Sequence, residues 1–119
     1  MIKGWEYLKD TASKYELGLQ EKQLDQFAAY LQLLQEWNKK INLTAIDDEA
    51  GIIIKHFIDS LLFLKKIGIK DGVTVLDLGT GAGFPGVPLK IWQPDVKIVL
   101  VDSLQKRITF LRNVLETLD

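Results

Sequence analysis

The sequence predicts an α/β chain: a helical cap followed by the first βαβα half of a doubly wound parallel sheet. Up to about residue 70 the apolar residues recur at helical spacing. After the Asp71-Gly72 turn, two short β-branched runs, "VTVLDL" (73–78) and "VKIVLV" (96–101), alternate with helical segments. The link between the runs is "GTGAGFPG", with glycines at 79, 81, 83 and 86. Glycine costs chain entropy and adds no packing, so a cluster this dense marks a place where bare backbone is needed.

The elements follow in order. A first helix is expected to bury Trp5, Leu8, Ala12 and Tyr15. Leu24, Phe27, Ala28, Leu31, Leu34, Trp37 and Ile41 form one stripe, predicting a helix from about Glu21 to Lys40. Asp47 and Asp48 suit the cap and first turn of a third helix, which ends at Gly68 and buries Ile53, Phe57, Leu61 and Leu64. Both β-branched runs read as buried strands. A short helix over about Val87 to Trp92 lies between them, its start tolerating Pro85 and Pro88. A last helix, about Leu104 to Leu118, is expected to bury Ile108, Leu111 and Leu115, with Ser103 as its N-cap. The division is a helical segment at 1–70 and half of a sheet domain at 71–119, together one incomplete domain. Two parallel strands do not make a covered sheet. These residues are therefore expected to be the N-terminal part of a longer protein, or else a partner completes the sheet; the unpaired edges would allow self-association.

Composition excludes several functions. With 119 residues, 47% hydrophobic and 26% charged, this is a single soluble globular domain at most. No run is long and apolar enough for a membrane span and nothing resembles a signal peptide, so a cytoplasmic protein is expected. The chain has no cysteine, and His56 is its one histidine. Disulfides and thiolate or histidine-rich metal sites are thereby removed, and no metal is expected. The formal net charge of −1 gives no overall field for nucleic acid. Lys39, Lys40, Lys65, Lys66, Lys70, Lys106, Arg107 and Arg112 cluster locally, as solvated helix ends do.

A strand, a glycine-rich turn and a helix gather backbone amides around one small volume. The dinucleotide fingerprint Gly-x-Gly-x-x-Gly fails, because Phe84 stands where its third glycine belongs. The P-loop pattern fails as well: Val87 and Pro88 follow Gly86, and no lysine is there to meet phosphates. What remains is Asp77-x-Gly79-x-Gly81-x-Gly83, followed 19 positions later by Asp102 at the tip of the second strand. An acidic residue there can accept hydrogen bonds from both hydroxyls of a ribose. This pair of features resembles the class I (Rossmann-like) S-adenosylmethionine-dependent methyltransferases, whose ligand carries no phosphate.

Four stretches narrow the resemblance: "EWNKKINLTAI" (36–46), "HFIDSL" (56–61), "GAGFPGVPLKI" (81–91) and "VDSLQKRITFL" (101–111). Together they resemble the glucose-inhibited division protein B family, bacterial methyltransferases that modify N7 of a guanine in 16S ribosomal RNA. The resemblance implies S-adenosylmethionine as cofactor and 16S ribosomal RNA or the small subunit as partner. It implies cofactor contacts from Gly79 and Phe84, a loop shaped by Gly81 and Gly83, and a ribose and adenosine edge held by Asp102, Ser103 and Leu104. Family members are about twice this length, so a third strand and further substrate contacts lie outside these residues. Guanine N7 carries a lone pair and no proton, so the reaction needs alignment and water exclusion and no general base. His56 and Asp59, three apart on one helix, are expected either to tie the helical cap to the loop or to border the methyl-transfer pocket or the RNA entry. Asn42 and Thr44 read as a turn with local side-chain-to-backbone bonds. Trp5, Trp37 and Trp92 read as packing residues. Two other functions stay open at this point: a non-catalytic binding or assembly module, and a methyltransferase for a small molecule or protein.

Overall fold

Helical spacing before residue 70 and β-branched runs after it translate into the expected element order in the computed structural model, which describes residues 4–119. Helices α1 (Trp5–Lys14) and α2 (Glu21–Asn38) come first. Next is one continuous rod made of α3 (Glu49–Gly51), a π-helical segment (Ile52–Ile58) and α4 (Asp59–Ile67). Strand β1 (Thr74–Leu78), helix α5 (Gly86–Trp92), strand β2 (Lys97–Val101) and helix α6 (Gln105–Leu118) complete the chain. The Asp48 carboxylate accepts the Gly51 N–H at 2.9 Å and caps the rod, while Gly68 closes it at φ 74°. Both signals were legible as residue types. The π turn was not.

The strands pair in parallel, with Leu76 opposite Val99 and Leu78 opposite Val101. One hydrophobic core joins the two halves of the chain: Leu24, Phe27, Leu31 and Leu34 of α2 meet Phe57 and Leu61 of the rod and Val87, Phe110 and Val114 of the later helices. Glutamines of α2 fix the distant helix ends. Gln23 Nε2 donates to the carbonyls of Ile91 and Trp92, and Gln26 Nε2 donates to that of Leu118. These last-turn carbonyls have no partner inside their own helices. Trp5 Nε1 donates to Asp25 and Trp92 Nε1 to the Leu17 carbonyl, and Trp37 packs edge-on against Phe110, so the three tryptophans act in packing.

Three expectations change. Tyr15 and Leu115 are exposed, and Ile108 is only half-buried. Helix α6 does bury Leu111 as expected, and turns Phe110 and Val114 inward beside it, with Trp37 of α2 meeting it at Phe110. Leu104, not Ser103, is the N-cap of α6, and no side chain caps that end. Finally, the strands are covered on one face only. Val75, Ile98 and Leu100 pack on the core, while Leu76, Leu78, Val99 and Val101 stand 55%, 69%, 46% and 40% exposed. Helix α5 lies against the covered face, and among the described residues nothing covers the other. No helix among them is long and apolar enough to cross a membrane.

Candidate functional site

The loop that links β1 to α5 is held at both ends. Asp77, on β1, points one carboxylate oxygen at its own loop: Oδ2 accepts the Thr80 hydroxyl at 2.7 Å and the Gly86 N–H at 3.0 Å. From the other side, the N–H groups of Gly79 and Thr80 both donate to the Val101 carbonyl, at 2.8 and 3.1 Å. The loop is thus pinned where the two strands end, the place at which open α/β sheets bind ligands.

Its glycines divide into two kinds. Gly83 and Gly86 lie against the protein. A Cβ on Gly83 would come within 2.6 Å of the Tyr30 hydroxyl, and one on Gly86 would clash with Leu100 Cδ2. Gly79 and Gly81 adopt φ 66° and 60°, and a Cβ on either would meet nothing within 4 Å. Their side of the loop is bare backbone facing open space.

Asp102 stands at the edge of that space. Its Oδ2 accepts the Gly81 N–H at 2.8 Å, its Oδ1 accepts the Leu104 N–H at 3.0 Å, and Arg107 Nη1 lies 3.6 Å from Oδ1. The side chain is only 2% exposed. The Leu104 amide above all, with help from the Gly81 amide and the Arg107 charge, holds its carboxyl below the usual carboxylate range against the opposing effect of burial. Of the residues expected in the site, Gly79, Gly81 and Asp102 are therefore brought together, with Ser103 and Leu104 exposed immediately beside them. Gly83 belongs to the packed side of the loop.

Phe84 faces an aromatic cluster instead. The His56 ring stacks on it at 4.4 Å and 13°, and Tyr30 and Phe57 lie 5.8 and 6.1 Å away. The Phe84–Pro85 peptide is cis. His56 does not bond Asp59. Its Nε2 is 2.7 Å from the Thr44 hydroxyl, because the π turn swings the ring toward the segment after α2. Burial lowers the imidazole pKa below 6.5, and the Asp59 charge offsets this in part. Asp59 itself is exposed. Thr44 Oγ1 accepts the Ile46 N–H at 3.1 Å, the local bond expected of this turn, while Asn38 Oδ1 accepts the amides of Leu43 and Thr44. Asn42 is exposed.

One functional residue escaped the sequence reading. Tyr30, fully buried on α2, donates its hydroxyl to the Ala82 carbonyl and so ties the cap to the glycine loop. Burial first, and the Asp77 charge second, push its phenol well above the ordinary tyrosine pKa. The available signal was a hydroxyl placed inside an otherwise apolar helical stripe, since a buried hydroxyl needs a partner. No group of three or more metal-ligating side chains occurs among the described residues.

The comparisons with known proteins bear on this same region. A family model described as rRNA small subunit methyltransferase G matches residues 23–119. The ribosomal RNA small subunit methyltransferase G of Desulforamulus reducens is 51% identical over 93% of this chain and 46% of its own length. That of Acetivibrio thermocellus is 50% identical over 94% of this chain and 46% of its own. That of Staphylococcus carnosus is 45% identical over 98% of this chain and 48% of its own. The chain spans about half the length of the curated relatives it matches. Since the matched residues run from α2 through the glycine loop and Asp102 to the end of α6, the chain belongs to the rRNA small subunit methyltransferase G family.

Proposed function

We propose that this chain is the S-adenosylmethionine-binding half of a class I, Rossmann-like methyltransferase that modifies N7 of a guanine in 16S ribosomal RNA. Residues 71–119 form the cofactor unit, and the helical segment of 1–70 braces it. The observation that carries the reading is the bare face of Gly79 and Gly81 set against the Asp102 carboxylate at the strand ends. The donor set suits the ligand: no lysine or arginine stands in residues 79–86 to demand a phosphate, and the Asp102 carboxylate would accept hydroxyls by giving up or sharing its amide bonds. When bound, the cofactor supplies a methyl group on a sulfonium.

The chain's own residues bind and align. Asp102 accepts the ribose hydroxyls, sharing or releasing its bond to the Gly81 amide. Ser103 and Leu104 flank the adenosine. Gly79 and Gly81 let the ligand lie on the main chain, and Phe84 borders it with its ring fixed by His56. No side chain has to take a proton, because guanine N7 carries none. His56 is thus a positioning residue acting through Phe84, and Asp59 bears on it through charge alone. The work left to the protein is orientation and exclusion of water. Acting on ribosomal RNA, it would function in the cytoplasm.

Calorimetric titration with S-adenosylhomocysteine tests this. The unaltered chain binds; Asp102→Ala, by losing a charged acceptor, and Gly81→Val, by filling the bare face, each weaken binding at least ~10-fold, or about 1.4 kcal/mol. Binding that is indifferent to both substitutions overturns the proposal. Methylation of small-subunit RNA by a polypeptide of the full family length, with the modified nucleotide mapped, tests the substrate.

A further inference from the structure

The scattered lysines of the sequence are not all scattered in space. The turn after α2 and the first turn of α6 face each other across a groove of about 340 Å³, lined by Lys39, Lys40, Asn42, Leu104, Lys106 and Arg107, together with Asn38 and Ile41. Four of its eight lining residues are cationic and none is acidic, in a chain whose acids outnumber its bases by 16 to 15. Lys39, Lys40 and Lys106 are exposed. Lys40 Nζ lies over the Trp37 ring, 5.5 Å from its centroid, a cation–π contact beside the groove. Side-chain amides, apolar contacts and cations in one open groove match a polynucleotide backbone, which offers phosphate oxygens, sugar hydroxyls and base faces in repeat.

The groove also has an address. Leu104 lines it, and the Leu104 N–H is held by Asp102; Arg107 lines it, and lies 3.6 Å from the same carboxylate. The same Asp102 carboxylate accepts the Gly81 N–H at 2.8 Å, so one residue links the groove's edge to the glycine loop. We infer that this groove binds the phosphate backbone of the substrate RNA next to the methyl-transfer site, with Lys39, Lys40 and Lys106 as the phosphate contacts. The inference rests on the proposed function and adds where the RNA lies. Arg107, placed between groove and carboxylate, then senses both occupants.

The test uses fluorescence anisotropy of a labelled single-stranded RNA oligonucleotide titrated with the 119-residue chain over a range of salt. Each phosphate contact to single-stranded nucleic acid contributes a slope of about −0.7 in log K against log salt. The double variant Lys39→Gln/Lys106→Gln is expected to flatten the slope by ~1.4 and to leave the melting temperature and S-adenosylhomocysteine affinity unchanged. Lys65→Gln/Lys66→Gln, which removes the same charge from the last turn of α4, should leave the slope as it was. Equal flattening by both double variants, or by neither, overturns the groove. So does an equal loss of binding to a poly-glutamate peptide, which would make the surface a general polyanion site. In any of these cases the cofactor titration stands apart, so the groove can fail while the methyltransferase reading survives.

Discussion

Replacing Gly83 by alanine separates the packed side of the glycine loop from its open side. Gly83 has φ 102°, and a Cβ there would lie 2.6 Å from the Tyr30 hydroxyl, 2.8 Å from Val87 Cγ2 and 3.1 Å from Leu111 Cδ2. A positive φ costs an L-residue about 1–2 kcal/mol. Forcing a methyl into packed neighbours costs a further ~1–3 kcal/mol. The Tyr30 hydroxyl, tied to the Ala82 carbonyl, cannot yield without losing its bond. Gly83→Ala should therefore lose about 2–5 kcal/mol. Gly81→Ala, with φ 60° and open space around its Cβ, should lose only the conformational part, about 1–2 kcal/mol. Urea denaturation followed by circular dichroism measures both. Under the proposed function the order reverses in cofactor titration: Gly81→Ala would put its methyl into the open space assigned to the ligand and should weaken binding out of proportion to its small effect on stability. If Gly83→Ala is as stable as Gly81→Ala, the division of the loop into two sides is wrong.

Tyr30→Phe should cost about 1–2 kcal/mol, because it leaves the Ala82 carbonyl without its buried partner; an unchanged urea midpoint would refute that. Asp77→Ala removes the acceptor for both Thr80 and Gly86 and should cost about 1.5–3 kcal/mol, again by urea denaturation, with the loop amides losing hydrogen-exchange protection. His56 gives a pH dependence of known sign. Its folded pKa lies below 6.5, so the unfolded chain takes up the proton first, and stability falls as the pH drops below 6.5. As the single histidine, it can be titrated directly by NMR, and a midpoint at or above 6.5 in the folded protein would contradict its burial. Asp102, held low by its amide partners, contributes stability that is present above pH 3.8 and is lost on acidification below it; Asp102→Asn should flatten the melting profile there.

The helical half was legible because burial imposes a period on sequence. Leu24, Phe27, Leu31 and Leu34 fall on one stripe, and Asp48 and Gly68 mark ends whose backbone they satisfy. The loop was legible because positive φ favours glycine, as at Gly79 and Gly81. Three features left no such trace. A π turn over Ile52–Ile58 uses the same residue types as an α-helix, so the swing of His56 from Asp59 to Thr44 is decided by tertiary contact. Asp102 reads as an acidic tip, but whether its carboxylate points outward or back onto Gly81 depends on amides two and 21 residues away. The same holds for the strands: β-branched residues report a strand, not how many of its faces are covered, and Val99 of β2 stands 46% exposed on the uncovered one.

The stack of His56 on Phe84 has a spectroscopic consequence. At 4.4 Å and nearly parallel, the imidazole carbon-bound protons sit within the ring current of the phenyl group and resonate away from their usual positions. With one histidine in the chain, no other imidazole signal competes with them. Any shift of Phe84 that accompanies a rearrangement of the loop would move them, so the protein carries its own unlabelled gauge of loop geometry.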